Sequence, residues 1–330
     1  MAKCMTDTIN LTSVADAIRT KGGTSAQLIY PSGFVSAIQA IQTGITPKLV
    51  VTTTPGAAIT ATPAEGFKVV KGTAGADGMC TLELPKAGTW HVTAMANSVS
   101  NSQNIVIGTQ NMLLPLYHDT FANNTWEEII TVCRTGIAPD SWAVGDSKTM
   151  NIGGTAYQVD IIGKNHDEYA DGSGTAPLTF QLHDCYSEAK QMYSTNLSGL
   201  GWKNTDMRLT YLPAILALMP AEVQNGIRAV NKKTSEGGNS TTIEMVSDTL
   251  FLLSEVEIFG TASSSVAGEG SQYDYYKAGN PKIKKREGVD EFWWERSSAS
   301  GGMFCRVRAN GQAGASNASN SLGVSFAFCF

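Results

Sequence analysis

The chain has 330 residues, of which 42% are hydrophobic and only 16% charged, and its formal net charge is −5. That length exceeds one ordinary domain and points to two or three units, each able to bury a core. The acidic balance argues against a nucleic-acid-binding protein, and neither a secretory leader nor an apolar run long enough to span a bilayer is visible, so a chain made in a cytosol, without membrane insertion, is expected.

The segment 1–45 reads as two short amphipathic helices. Leu11, Val14, Ala15 and Ile18 follow helical spacing, with Thr12 or Ser13 as cap and Gly22-Gly23 as stop; Phe34, Ile38 and Ile41 line a second helix that starts near Pro31. Two such helices cannot make a core alone, so an attachment or oligomerisation role is expected. From 46 to 110 the period changes to two. Leu49-Val50-Val51, Ala58-Ile59, Phe67-Lys68-Val69-Val70, Thr81-Leu82-Glu83-Leu84, Trp90-His91-Val92-Thr93-Ala94 and Ile105-Val106-Ile107 read as short strands of a small β-sandwich. Gly72, Gly75 and Gly78 lack the following helix and lysine of a phosphate loop and read as turns.

The third unit, 111–330, is expected to be α+β. Thr125-Trp126-Glu127-Glu128 is a capping box that opens a helix ending at Gly136. Strands follow on either side of Gly153-Gly154 and at Leu178-Thr179-Phe180-Gln181-Leu182, then helical pieces cut by Pro213 and Pro220, then a buried strand at Thr249-Leu250-Phe251-Leu252-Leu253. In Phe304-Cys305-Arg306-Val307-Arg308, Cys305 and Val307 face one way and Phe304, Arg306 and Arg308 the other. Val324-Ser325-Phe326-Ala327-Phe328-Cys329-Phe330 is apolar on both faces, as a central strand would be. Between these two, 309–323 is rich in small residues and reads as a surface loop carried by the strands.

Several groups of residues invite a chemical role. His118-Asp119, His166-Asp167 and His183-Asp184 offer cation ligands, but beside turns and strand ends they read as polar loop residues, and no metal or cofactor is expected. Glu255 and Glu257, two apart, are candidates for a glycosidase pair if both face one side. The Lys282-Ile283-Lys284-Lys285-Arg286 cluster could grip an anionic glycan or phosphate, but reads rather as a solvated loop. Tyr273, Tyr275 and Tyr276 lie in a Gly-flanked loop where binding anchor and core packing are equally open. The six cysteines are scattered, none in C-x-x-C, and read as buried free thiols. A Cys305–Cys329 bridge is geometrically open, against the reducing compartment.

Trp293-Trp294-Glu295-Arg296-Ser297, Phe304-Cys305, Asn310-Gly311, Ala318-Ser319-Asn320-Ser321 and Gly323-Val324-Ser325-Phe326 together resemble the C-terminal domain of phage and prophage tail proteins of Gram-positive gut bacteria. Met207-Arg208, Leu218-Met219-Pro220 and Asp248-Thr249-Leu250-Phe251 extend the likeness over 142–330. The Leu84-Pro85-Lys86-Ala87-Gly88-Thr89-Trp90 passage is similar to the strand-turn-strand of immunoglobulin-like or carboxypeptidase-regulatory-like spacers, which act as stalks. The resemblance implies a C-type-lectin-like fold behind an immunoglobulin-like spacer. It also implies kinship with variable proteins of diversity-generating retroelements, in which a loop is mutagenised over a fixed frame. On that likeness, Trp293, Trp294, Phe304 and Cys305 would be framework. Ser298, Ser300, Arg306, Arg308, Asn310, Ala315, Ser316, Asn317 and Leu322 would bind, joined by Tyr273 and Tyr275. The protein would be a non-enzymatic virion tail component, most simply a homotrimer, that contacts other tail proteins and a bacterial surface receptor of protein or glycan. A surface-polysaccharide hydrolase and a purely structural virion protein are the competing expectations. Formylglycine-generating enzymes share the lectin-like architecture, but Cys305 and Cys329 sit in apolar strands that would leave them inert.

Overall fold

The computed structural model describes residues 8–22, 27–28, 47–64, 66, 68–107, 110–238 and 240–330. Strand outweighs helix, 37% against 17%, and the chain divides into two compact units, Met1–Tyr117 and His118–Phe330.

In the first unit, helix α1 (Thr8–Gly22) begins a turn before the expected cap, so Thr12 and Ser13 lie inside it. Ala15 and Ile18 are buried while Val14 is 47% exposed, a narrower apolar stripe than the spacing implied. The expected second helix lies outside the described residues. Seven strands follow: β1 (Lys48–Thr52), β2 (Ala58–Pro63), β3 (Val70–Thr73), β4 (Met79–Glu83), β5 (Gly88–Ala96), β6 (Val99–Ile107) and β7 (Gln110–Leu113). They form two sheets, in the orders β4-β1-β7 and β3-β2-β5-β6. Alternate residues of both sheets meet in one core containing Leu49, Val51, Ile59, Leu82, Trp90 and Val92, the outcome period-two sequence produces when one face of each sheet is buried. Strand β7 runs parallel to β1, so the unit extends beyond residue 110.

The second unit opens with helix α2 (Trp126–Arg134), capped reciprocally by Thr125 and Glu128 as the capping box requires. Its largest sheet has five strands in the order β13-β19-β10-β9-β8, comprising β8 (Ser147–Ile152), β9 (Thr155–Lys164), β10 (Leu178–Leu182), β13 (Leu250–Phe251) and β19 (Ala327–Cys329). Gly153 and Gly154 form the two-residue turn between β8 and β9 with φ of +59° and +88°, a conformation glycine reaches without strain. Strand β19 lies between β10 and β13 and is buried throughout, the central position that its unbroken apolar run implied. Phe121, Trp126, Phe180, Phe328 and Phe330 pack ring against ring on this sheet. Met207–Tyr211 continues without a break into the short helix α3 (Leu212–Leu216), so the expected cut at Pro213 does not occur, the proline sitting in the first turn of α3. Helix α4 (Ala221–Gly226) follows a true break at Pro220.

Two hairpins and two helices add to what the pattern suggested. β11 (Val230–Ser235) pairs with β12 (Ile243–Asp248), and β14 (Lys284–Arg286) pairs with β15 (Val289–Glu291). Helices α5 (Glu255–Phe259) and α6 (Asp274–Lys277) are each about one turn. The last sheet has three strands, β16 (Trp293–Ser298), β17 (Met303–Val307) and β18 (Ala313–Asn317). The stretch 309–323 is therefore not all loop: its middle third is β18, paired in full register with β17. Small residues have weak strand propensity, but an available edge on β17 satisfies their backbone, and pairing overrides composition.

Candidate ligand-binding face

Register fixes which side chains share the outer side of the β17–β18 pair. Phe304 faces Ser316 and Arg306 faces Gly314, while Cys305 faces Ala315 on the other side. Phe304 is buried, Arg306 and Ser316 are half-buried, and Arg308 is exposed. Both arginines are tied to the partner strand by one bond: Arg306 Nε donates to Ala315 O at 3.1 Å and Arg308 Nε to Ala313 O at 3.1 Å. The Arg306 guanidinium also lies 4.1 Å from the Phe292 ring centroid. The bare backbone of Gly314 leaves Arg308 its place: a Cβ there would stand 2.8 Å from Arg308 Nε and turn the guanidinium aside. Among the described residues neither guanidinium has a carboxylate partner. Burial and the neighbouring Arg308 charge push the Arg306 guanidinium below its ordinary value.

The rim is tied down by backbone. Gly302 O accepts from Ala318 N at 3.0 Å, Ser319 Oγ bonds Asn196 Oδ1 at 2.6 Å, and Lys190 and Leu322 exchange both backbone bonds at 3.0 and 3.1 Å. Ser300, Asn310 and Asn317 are exposed, and Ala315 and Leu322 are half-buried. Ser298 is fully buried, its Oγ donating to Gly238 O at 3.2 Å, so it supports the face from within and does not stand on it.

Behind the face stands β16, buried at every position. Trp293 and Trp294, fully buried, anchor their indole N–H groups on Lys282 O at 2.9 Å and Lys190 O at 2.8 Å, as buried indoles require. Phe304 and Cys305 are also fully buried. Arg296 directs its guanidinium onto both oxygens of Glu257, at 2.5 and 2.9 Å, and onto the carbonyls of Leu252, Glu269 and Lys233. Lys232 Nζ continues the chain, 2.8 Å from Glu257, 2.6 Å from Asp167 and 3.0 Å from Tyr273 OH. The cations Arg296 and Lys232 hold the Glu257 carboxyl below its ordinary range, and Lys232 does the same for Asp167, each against the opposing pull of burial. A polar cavity of about 260 Å³ opens over this network, lined by His166, Asp167, Asn231, Lys232, Lys233 and Glu257 among others.

Several expectations are corrected. Tyr273 and Tyr275 are not exposed loop anchors: Tyr273 is fully buried with its hydroxyl on Asp167 at 2.8 Å, Tyr275 is 8% exposed, and Tyr276 donates to Gln181 Oε1 at 2.6 Å. Glu255 and Glu257 do not share a cleft. They sit on helix α5, not on a strand, so two residues apart means divergent directions: Glu257 meets Arg296, while Glu255 accepts from Ser263, Ser264 and Ser265. Lys284 is no solvated member of a basic loop. It is buried with its ammonium on Leu182 O at 2.6 Å and His183 O at 2.7 Å, and burial lowers its pKa to about 8. Cys305 and Cys329 belong to different sheets and are both free, each with its thiol pushed up by burial.

The His-Asp pairs scatter: His166 stacks on Tyr273 at 3.9 Å, Asp167 takes Lys232, and His183 Nδ1 lies 2.7 Å from Asp160. Among the described residues no group of three or more His, Cys, Asp or Glu side chains is arranged to hold a metal ion. Among the described residues Thr53 Oγ1, Glu269 Oε2 and both oxygens of Glu295 are buried without a hydrogen bond, so Glu295 is the one carboxyl of this set with neither oxygen bonded. Burial beside Glu255 and Glu269 holds its carboxyl well above the usual range.

Residues 179–330 are similar to a protein family described as a domain of unknown function, DUF6273. The match spans nearly all of β10, β19, the Arg296, Glu257 and Lys232 members of the ion network and the whole β16–β18 sheet, and leaves Asp167 outside. No curated protein and no solved structure matches the chain.

Proposed function

We propose that the chain is a phage or prophage tail-tip or tail-fibre protein that recognises a bacterial surface receptor through the outer side of the β17–β18 pair. In this reading the second unit is a C-type-lectin-like domain. The antiparallel pairing of β19 with β10 and the separate three-stranded sheet that carries the face support it. The first unit is an immunoglobulin-like spacer, supported by its two sheets around Trp90. The protein acts as a homotrimer within a virion, joined to other tail proteins, because weak single sites gain strength by repetition.

The observation that carries the reading is the division within one sheet. Strand β16 is buried along its length, while on the outer side of β17 and β18 only Phe304 and Gly314 are buried and Arg306 and Ser316 remain partly open, with Arg308 exposed just beyond β17. A surface of that kind tolerates substitution without loss of fold, which is what a variable binding site needs. Recognition is favoured over hydrolysis because Glu255 and Glu257 point to different partners and form no acid–base pair.

The test uses the full chain, labelled, on whole Gram-positive gut bacteria. A variant with Ser300, Arg306, Arg308, Asn310, Ser316 and Asn317 all changed to Ala is expected to lose cell binding while it keeps the wild-type melting profile. Undiminished binding by that variant would overturn the proposal.

A further inference from the structure

The Arg306–Arg308 pair carries a more specific statement about the ligand. Arg308 follows the last residue of β17, and its side chain lies over Gly314, the residue opposite Arg306. The two arginines therefore share one side, their side chains starting about 7 Å apart as for residues i and i+2 of an extended chain. Two like charges held that close repel each other, and Arg308 acts on Arg306 in that sense. Structural arginines usually relieve such repulsion with carboxylates, as Arg286 does with Glu291 at 2.8 Å and Arg296 with Glu257 at 2.5 Å. Arg306 and Arg308 do not. Each spends its Nε on a carbonyl of β18, which fixes the plane of the guanidinium and leaves the terminal nitrogens for another partner. Phe292 supports the plane of Arg306 from one side, and the missing side chain of Gly314 makes room for Arg308. This is a pre-oriented pair of forks without an anion. Such an arrangement persists in a chain of net charge −5, where acidic side chains outnumber basic ones 29 to 24.

Resting on the receptor-binding reading, we infer that this pair is an anion clamp, and that the receptor is a sugar or polyol polymer bearing regularly placed oxyanions, phosphodiester or carboxylate. The hydroxyl-bearing units of such a polymer suit the half-buried Ser316, on the same side of the strand pair as Arg306, and the exposed Asn310, two residues after Arg308.

The experiment measures binding of the full chain to three immobilised polymers: poly(glycerol phosphate), polygalacturonate and neutral dextran. Binding to one or both anionic polymers, at least tenfold tighter than to dextran and weakened as sodium chloride rises, is expected, since exposed charges are screened by salt. The two anionic arms tell phosphodiester from carboxylate. Arg306→Gln with Arg308→Gln is expected to lose that preference, and Arg306→Lys with Arg308→Lys to recover only part of it, because lysine keeps charge without the fork. Equal binding to dextran, or binding indifferent to salt, overturns the clamp in the wild-type protein whatever the variants do. Cell binding that the six-residue variant abolishes but the Arg→Gln pair retains overturns the clamp and leaves the receptor-binding face standing.

Discussion

Strands β16 and β18 flank the same central strand and are opposites. Every residue of Trp293–Ser298 is buried, including Glu295 and Arg296, whereas in Ala313–Asn317 only Gly314 is. β16 is held by side chains: two indole anchors and a guanidinium shared among Glu257 and three carbonyls. β18 is held by backbone pairing. A strand of the first kind tolerates almost no change, and one of the second tolerates nearly any small residue, so one sheet combines a fixed frame with a replaceable surface. Substitutions along the sheet should therefore grade from severe to silent.

The severe end is Arg296. Arg296→Met leaves Glu257 buried with only Lys232 against it, together with Asp167 on the same ammonium. Breaking a buried pair from one side costs about 3–5 kcal/mol. The free energy of unfolding in urea should fall by that amount, and the double change Arg296→Met with Glu257→Leu should recover part of it. A loss smaller than about 1 kcal/mol would falsify the frame.

Glu295 gives the next effect, and its sign depends on pH. Its folded pKa is raised, so its contribution is fully present below the unfolded glutamate value of about 4.3 and is lost as pH climbs above it, by about 1.4 kcal/mol per unit until the folded group ionises. Glu295→Gln carries no such loss. The variant should gain on the wild type as pH rises above about 4.3, up to the pH at which the folded Glu295 ionises. Parallel stability curves for the two proteins across that range would mean that Glu295 is not held neutral.

The fold was legible where a single rule governed a segment. The Thr125 cap, the Gly153-Gly154 turn, the helix break at Pro220 and the central β19 all follow from local chemistry. Strand β11, Val-Asn-Lys-Lys-Thr-Ser, was invisible because its inward side chain at Lys232 is a charge, buried only by Asp167 and Glu257 from distant segments. Helix α5 was taken for a strand end because its signal, Ser254 capping Glu257, is a single reciprocal turn after an apolar run. Of the candidate site, the alternation correctly grouped Phe304 and Arg306 on one side, and Arg308, beyond the strand, joins them over Gly314. The burial of Ser298, Tyr273 and Tyr275 was not legible, since it depends on Gly238, Asp167 and other residues far along the chain. The signal that existed for the network was Arg296 itself, a charge inside a strand otherwise led by two tryptophans.

Ser254→Ala tests the support one step further from the sheet. It removes a hydroxyl that accepts from Glu257 N at 3.1 Å and donates to Glu269 O at 2.8 Å. A lost cap costs about 1 kcal/mol, and the second bond adds to that. The change in urea midpoint should fall between those of Arg296→Met and the face variants; a value at either extreme would detach α5 from the frame.

The smallest effect belongs to the face. Arg306→Gln with Arg308→Gln removes no salt bridge and relieves one repulsion, while the bonds to Ala315 O and Ala313 O are solvent-accessible or partly so. Surface changes without a buried partner stay within about 0.5 kcal/mol, and relief of like charge moves this one toward stabilisation. Thermal unfolding of the double variant at low and high salt is the decisive measurement. A stability equal to or above wild type at low salt, with the difference shrinking as salt screens the repulsion, means that the two arginines are kept for a partner outside the fold. A clear loss of stability means instead that they belong to the frame, and the boundary between frame and face must then be drawn one strand further out.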